Sequence, residues 1–473
     1  MIKADLKGFF GHCKKKDLFF LAFLFIFPSL CFFYVDSRAI VRQGMNFWRA
    51  IAEGRFFEYY SVNLESQAAG EMNFAANYDM FMNLLNGIWQ LPLYVIERIA
   101  GGDILASPFA KFWGQLQPVL YSFISGHQLI LLAKTLGMAE ERREKLYFLF
   151  MSGVFLIMPS CILGQLDVVG LCFLLAAVRA LIEKKERRFL ICAILAVQCK
   201  NFAIFILLPI VLLTEKNIFR IMAKLLPPVA VLWLVGLPFS IADPAGVAAK
   251  NPRLWILADY MTRARVELFG FGVPVLFIFM GLVVMAAYYV SGKERREDWI
   301  LYFAFLGMLP MLVFQHSHPQ WMIYPYPFGL LLLCKKEKGF GKSVFFESVA
   351  GLSQLAAYLI SFQFVFNSDN LKKTFFGTLF PAEVKRNVLE RISDIVMDER
   401  YFNFWTLAFV PFVIWVAGMT LFYCPALKLR KAEEEEGWLD KNIGLLMHLR
   451  ALGGFLLCNI SVFLVFIRPF LKF

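Results

Sequence analysis

The sequence predicts an all-α fold, a polytopic transmembrane helical bundle, and three observations lead there. Of 473 residues, 59% are hydrophobic and 18% charged, whereas soluble domains run at about 45–50% apolar and about 25% charged. The apolar residues come in long blocks from Leu18 onward, and about 20 such residues are what a helix needs to cross about 30 Å of hydrocarbon. The Lys and Arg behind the formal net charge of +12 cluster between the blocks. That pattern reads as membrane orientation, not as a nucleic-acid surface. A disordered or collagen-like chain is excluded, and an ordinary water-soluble enzyme is set aside. Eight of the nine Cys sit in or beside apolar segments, without CxxC or secreted disulfide spacing.

The elements follow in order, as one integral-membrane domain over 1–473. Lys3, Lys7, Lys14, Lys15 and Lys16 precede an apolar run from Leu18 to Val35. No small-x-small cleavage site follows, so an uncleaved first span is expected, with its leader in the cytoplasm. The segment 36–111 is then the first outer loop, with amphipathic interfacial helices. Within it, Asp79 to Ile99 carries Asn83, Asn86, Gln90 and Pro92 and reads as interfacial or re-entrant. Trp113 to Leu136 crosses inward. Phe189 to Leu213 is split by Lys200-Asn201 into pieces each only about 16–18 Å long as helix. A broken pair that dips and returns keeps the basic clusters on one side, and a single tilted span is the alternative. Further spans are expected at 146–163, 167–182, 225–242, 268–290, 299–315, 320–334, 344–366, 403–424 and 449–468, about eleven crossings in all. The outer loops 243–267 and 367–402 are long, and 425–448 is a charged cytoplasmic loop. Function is therefore expected on the outer face.

Asp36 stands where the first span meets that face, with Ser37 as a candidate helix cap. After it, Ile40, Gly44, Phe47, Trp48 and Ile51 share one helical face, and Arg38, Arg42, Arg49 and Glu53 share the other. One reading is anchoring to lipid headgroups. The other makes Asp36 a base and the arginines phosphate ligands. Phe56, Phe57, Tyr59 and Tyr60 form an interfacial aromatic cluster, either a belt anchor or a wall for a sugar ring. Asp167, in Gly164-Gln165-Leu166-Asp167, is a costly acid near hydrocarbon or a helix cap. Lys200 at membrane depth calls for a partner, a cavity or a ligand phosphate, unless it snorkels. In the turn Gln315-His316-Ser317-His318-Pro319-Gln320-Trp321 two His could hold a metal, but no acid or Cys completes a set. His12, His127 and His448 are isolated. Gly339-Phe340-Gly341-Lys342-Ser343 lacks the first glycine of a phosphate loop, and Gly270-Phe271-Gly272 lacks the third of a dinucleotide loop.

In this order the features resemble the integral-membrane C-type glycosyltransferases, and among them the mannosyltransferase-like relatives that use polyprenyl-phosphate sugars. The similarity runs from Asp36 through the Trp48–Tyr60 aromatic segment, Gly164-Gln165-Leu166-Asp167, Lys200 before Pro209 and the His316 turn, and so covers the chain to about Leu333. It departs from the pattern at Ser37-Arg38, where many relatives carry a second acid, and in the His turn, which lacks a following Glu. The resemblance implies transfer of a hexose such as mannose from a polyprenyl-phosphate donor to a lipid-linked or cell-surface glycan acceptor. Asp36 would then be the base, and Arg38, Arg42, Lys200, His316 and His318 would hold the donor phosphate. Tyr60, Gln165, Asp167, Asn201 and Gln320 are candidate substrate contacts. No cofactor is implied, with a divalent metal left open. The expected partners are membrane lipid, donor and acceptor, not nucleic acid, and the expected location is a bacterial cell membrane or the endoplasmic reticulum. The competing classes are a transporter or flippase for a lipid-linked saccharide and a polysaccharide polymerase or ligase.

Overall fold

A computed structural model describes residues 12, 14–75, 78–250, 259, 261–290, 295–314, 319–335, 339–361, 368–380, 407–427 and 437–467, with a few positions between 390 and 395. The described chain is mostly helical. Its contacts gather into two compact units. One consists of Val35–Gln117 and Gln165–Pro325, the other of Met1–Tyr34, Pro118–Gly164 and Tyr326–Phe473.

In the first unit the Val35–Ala52 helix packs along the Met80–Ala100 helix. Small residues permit the close approach. A Cβ on Gly44 would stand 2.6 Å from Gln90 Cγ, and one on Gly87 would stand 2.7 Å from Phe47 Cδ1. Gly44→Val should therefore destabilise the protein by about 1–3 kcal/mol through overpacking, read as a lowered thermal midpoint. An unchanged midpoint would mean that the two helices can separate at no cost. The expected helix at 79–99 is present as one continuous helix, Met80–Ala100, with Pro92 inside it. Trp89 and Trp113 stack at 4.9 Å, and each indole N–H donates to the other's carbonyl.

The Asp167–Ile182 and Glu186–Cys199 helices form a tight hairpin. The first starts at the very residue expected from the sequence and is apolar and buried almost all round, which is the signature of a central helix. The expected break also occurs: Lys200 is extended (φ −155°, ψ 112°), and the next helix is Ala203–Thr214. The Ile218–Ala242 helix is the opposite of the central one. It is long and apolar, yet only 11% of its most apolar stretch is buried, and Trp233, Leu234 and Ile241 are each more than 60% exposed.

In the second unit the Phe340–Ser361 helix packs against Val410–Phe422 and Ile443–Cys458, and Glu140–Met151 packs against Tyr326–Lys335. Several expected spans are interrupted. The 146–163 block bends by 51° between Glu140–Met151 and Val154–Ile162, after Ser152 and Gly153 leave the helix. The 449–468 block bends by 52° after Cys458. In the first unit the 299–315 block is likewise cut, at Gly307-Met308. Among the described residues, two helices are long and apolar enough to cross a membrane, Pro108–Thr135 and Ile218–Ala242, or up to five if each bent pair is one span. The expected spans at 268–290, 320–334 and 403–424 are represented by shorter apolar helices, Val275–Tyr289, Tyr326–Lys335 and Val410–Phe422.

Other expectations are corrected in detail. Residues 265–274, where the 268–290 span was to begin, form an antiparallel hairpin of β1 (Arg265–Leu268) and β2 (Phe271–Pro274), and the helix starts only at Val275. Ser37 lies inside the Val35–Ala52 helix rather than capping it, and its hydroxyl accepts from Gln115 at 3.3 Å. Within the charged loop, Trp438–Lys441 and the start of Ile443–Cys458 are helical. His12 and His127 are not isolated: their ring nitrogens lie 2.8 Å apart.

Candidate functional site

Five polar residues from separate parts of the chain meet within the Val35–Gln117 and Gln165–Pro325 unit. Asp36 lies in the first turn of its helix, where the unsatisfied N–H groups favour a carboxylate. Its Oδ2 accepts from Gln165 Nε2 at 2.7 Å. Gln165 Oε1 in turn accepts from the Tyr78 hydroxyl at 2.9 Å. Gly164, at φ +61°, makes the turn that delivers Gln165 and Asp167 to this point.

Lys200 arrives by hairpin geometry. It and Asp167 are nearly equidistant from the turn joining the two helices, so antiparallel packing sets them side by side. The ammonium stands 2.9 Å from Asp167 Oδ1. It also lies 5.1 Å above the Tyr78 ring and 5.3 Å above the Phe202 ring, two aromatic faces that attract a cation. The Asp167 side chain is 1% exposed and that of Lys200 21%, so the acid is sealed while the amine reaches the surface of the site. Asp167 Oδ2 is buried with no hydrogen-bond partner among the described residues. The Tyr324 hydroxyl donates to the Asp167 carbonyl at 2.9 Å. Burial, reinforced by the Asp167 carboxylate, holds the Tyr78 phenol well above its usual range, so Tyr78 acts as a fixed donor to Gln165.

Other expected site residues lie elsewhere. Arg42 is buried and held by carboxylates: Nη1 is 2.5 Å from Glu97 Oε1, Nη2 is 2.5 Å from Asp103 Oδ1, and Nε is 3.8 Å from Glu71. Arg38 contacts Asp103 at 3.0 Å and the Glu71 carbonyl at 2.9 Å. Both arginines thus close the outer segment on itself. Tyr60 is buried with Phe47, Tyr59 and Phe239, its ring centroid 5.4 Å from Tyr59 and 6.1 Å from Phe239. Asn201 is exposed in the break after Lys200, and Gln320 is half-buried in the Pro319–Ile323 turn. That turn reaches the site through Trp321, 4.7 Å from Phe202. His316 and His318 lie outside the described residues. No group of three or more His, Cys, Asp or Glu is placed to hold a metal among the described residues.

Tyr78 and Tyr324 escaped the sequence reading because tyrosines near a membrane surface are common, and nothing in their spacing separates these two from the others. Arg450 and Glu347 also escaped it. In the second unit Arg450 Nε and Nη2 reach the two Glu347 oxygens at 2.6 and 2.7 Å, Nη1 donates to Ser152 at 2.9 Å, and Nη2 donates to the Tyr326 hydroxyl at 2.5 Å. Both charged side chains are at most 4% exposed. The available signal was Glu347, an acid inside an apolar block, which is costly unless paired.

No family model matches the chain, and neither the curated proteins nor the solved structures searched contain a match.

Proposed function

We propose that the protein is a multi-pass membrane glycosyltransferase that moves a hexose from a polyprenyl-phosphate donor to a glycan acceptor on the outer face. The membrane assignment is supported by the apolar, outward-facing Ile218–Ala242 helix, a surface that water does not tolerate at that extent. The reaction is supported by one observation above all: a carboxylate, Asp36, and a partly open ammonium, Lys200, are joined through Gln165 and Tyr78.

In this reading Asp36 takes the proton from the acceptor hydroxyl. The acceptor oxygen bonds to the anomeric carbon from the face opposite the phosphate. The bond from that carbon to the phosphate oxygen breaks, and its electron pair leaves on the lipid phosphate, so the anomeric configuration inverts. Lys200 meets the charge that builds on the departing oxygen. Its ammonium has three donors, and Asp167 engages it from one side while holding it over Tyr78. Gln165 orients the Asp36 carboxylate. Arg38 and Arg42, engaged by Glu71, Glu97 and Asp103, serve as struts of the outer segment rather than as phosphate ligands.

The test is a transfer assay with purified protein in lipid nanodiscs, a set of polyprenyl-phosphate hexoses and a lipid-linked glycan, following release of polyprenyl phosphate. Asp36→Asn should lose about a hundredfold or more in turnover, the usual worth of a general base, while donor binding persists. Full turnover in Asp36→Asn would show that Asp36 is not the base. A saccharide flippase, the competing class, would translocate its lipid with Asp36→Asn as well as with the wild type and would release no polyprenyl phosphate.

A further inference from the structure

The β1–β2 hairpin takes no part in the site. Its register pairs Val266 with Val273 and Leu268 with Phe271, and Arg265 with Pro274 and Glu267 with Gly272. Alternate residues of a strand point to opposite faces, and directly paired residues share one. One face is therefore wholly apolar: Val266, Leu268, Phe271 and Val273. The other carries Arg265 and Glu267. Phe269 and Gly270 turn the chain, both at positive φ (53° and 81°), in the manner of tight two-residue hairpin loops. Phe269 accepts that conformation although it is not glycine, and its ring projects 99% exposed. Phe271 is 74% exposed, and Val266 and Leu268 about 40%.

A two-stranded hairpin with an uncovered apolar face has little stability in water, so something must supply the missing layer. We propose that the lipid bilayer does, with the hairpin lying in the outer interface, Phe269 and the apolar face toward the acyl chains and Arg265 and Glu267 toward the headgroups. Continuity favours lipid. β2 runs directly into the Val275–Tyr289 helix, on which Phe277, Leu282, Met285 and Tyr289 are all more than half exposed, so exposed apolar side chains continue from the hairpin into the helix. Depth follows from the backbone. Among the described residues each strand has one unpaired edge, whose N–H and C=O groups must stay within reach of water or headgroups. The hairpin therefore lies along the interface and does not cross the core. In that position it is an anchor beside the outer-face site.

The inference rests on the membrane assignment above, and the experiment separates the two. Phe269→Cys, Glu267→Cys and, on the Ile218–Ala242 helix, Leu234→Cys are spin-labelled in full-length protein in phosphatidylcholine–phosphatidylglycerol nanodiscs, with the labelled parent as blank. Collision rates with oxygen, which concentrates in lipid, and with a water-soluble nickel chelate are compared. The Phe269 and Leu234 sites should favour oxygen several-fold, and the Glu267 site the nickel chelate. Nickel access at Phe269 with lipid exposure at Leu234 would overturn the hairpin assignment and leave the membrane assignment standing. Nickel access at both would overturn both. Low access to either reagent at Phe269, with spin–spin broadening between copies, would identify a second copy of the chain as the covering layer and overturn the lipid proposal.

Discussion

Replacing Arg450 with Met is expected to destabilise the protein by about 3–5 kcal/mol, because Glu347 then remains buried and charged with its main partner gone. The lost contacts are two to Glu347, at 2.6 and 2.7 Å, and one each to Ser152 and Tyr326. Tyr326, whose hydroxyl also donates to Glu347 at 2.9 Å, cannot neutralise the acid by itself. The double substitution Arg450→Met with Glu347→Leu should recover most of the loss, since apolar replacement of a whole buried pair is often neutral or stabilising. Unfolding in denaturing detergent, followed by intrinsic fluorescence, reads both. Wild-type stability in the single variant would mean that the pair is hydrated in the membrane. A double variant no better than the single would place the damage in packing around Gly153 and Val154, not in the orphaned charge.

The second large effect is expected at Lys200, and it is asymmetric. Lys200→Met strands Asp167, whose side chain is 1% exposed, and should remove about 3 kcal/mol or more. Asp167→Asn strands Lys200 instead, which is 21% exposed and carries a flexible stem that can turn its ammonium toward water. The loss there should be clearly smaller. Equal losses would contradict the picture of a sealed acid and an open amine. Function supplies a second readout. If Lys200 meets the donor phosphate, Lys200→Met should weaken donor binding in nanodiscs, whereas Asp36→Asn should not. Lys200→Arg should restore part of the affinity, since a guanidinium also binds phosphate.

What could be read before the tertiary structure is uneven across these residues. The Asp167–Ile182 helix and the break at Lys200 were legible because each is local: an apolar run begins at an acid, and a polar pair, Lys200-Asn201, interrupts another run. Their meeting was implicit in the same feature, since the two lie at matching distances from one turn. Asp36 and Gln165 are 129 positions apart, and no periodicity joins them; only the order of motifs placed them together. The arginines show the limit most clearly. Helical period puts Arg38 and Arg42 on the polar side of their helix, but whether a polar side faces solvent, a ligand or three carboxylates depends on where the Met80–Ala100 helix and Asp103 come to rest. Glu347 and Arg450 are 103 positions apart, and each was read with its own neighbours, in two separate expected spans.

By itself the sequence determined the helical class, the apolar character of the surface, the central hairpin and the chemically unusual residues within it. Those properties follow from composition and short-range period, which act through the backbone hydrogen bonds of one segment at a time. Tertiary structure decided which of the charges far apart in the chain pair. Ion pairing depends on distance and burial, and both are set by packing between segments far apart in the chain. That is why Arg42 became a strut, why Arg450 joined Glu347 in a sealed network, and why Lys200, held by Asp167 and still a fifth exposed, is the cation that the proposed reaction draws on among the described residues.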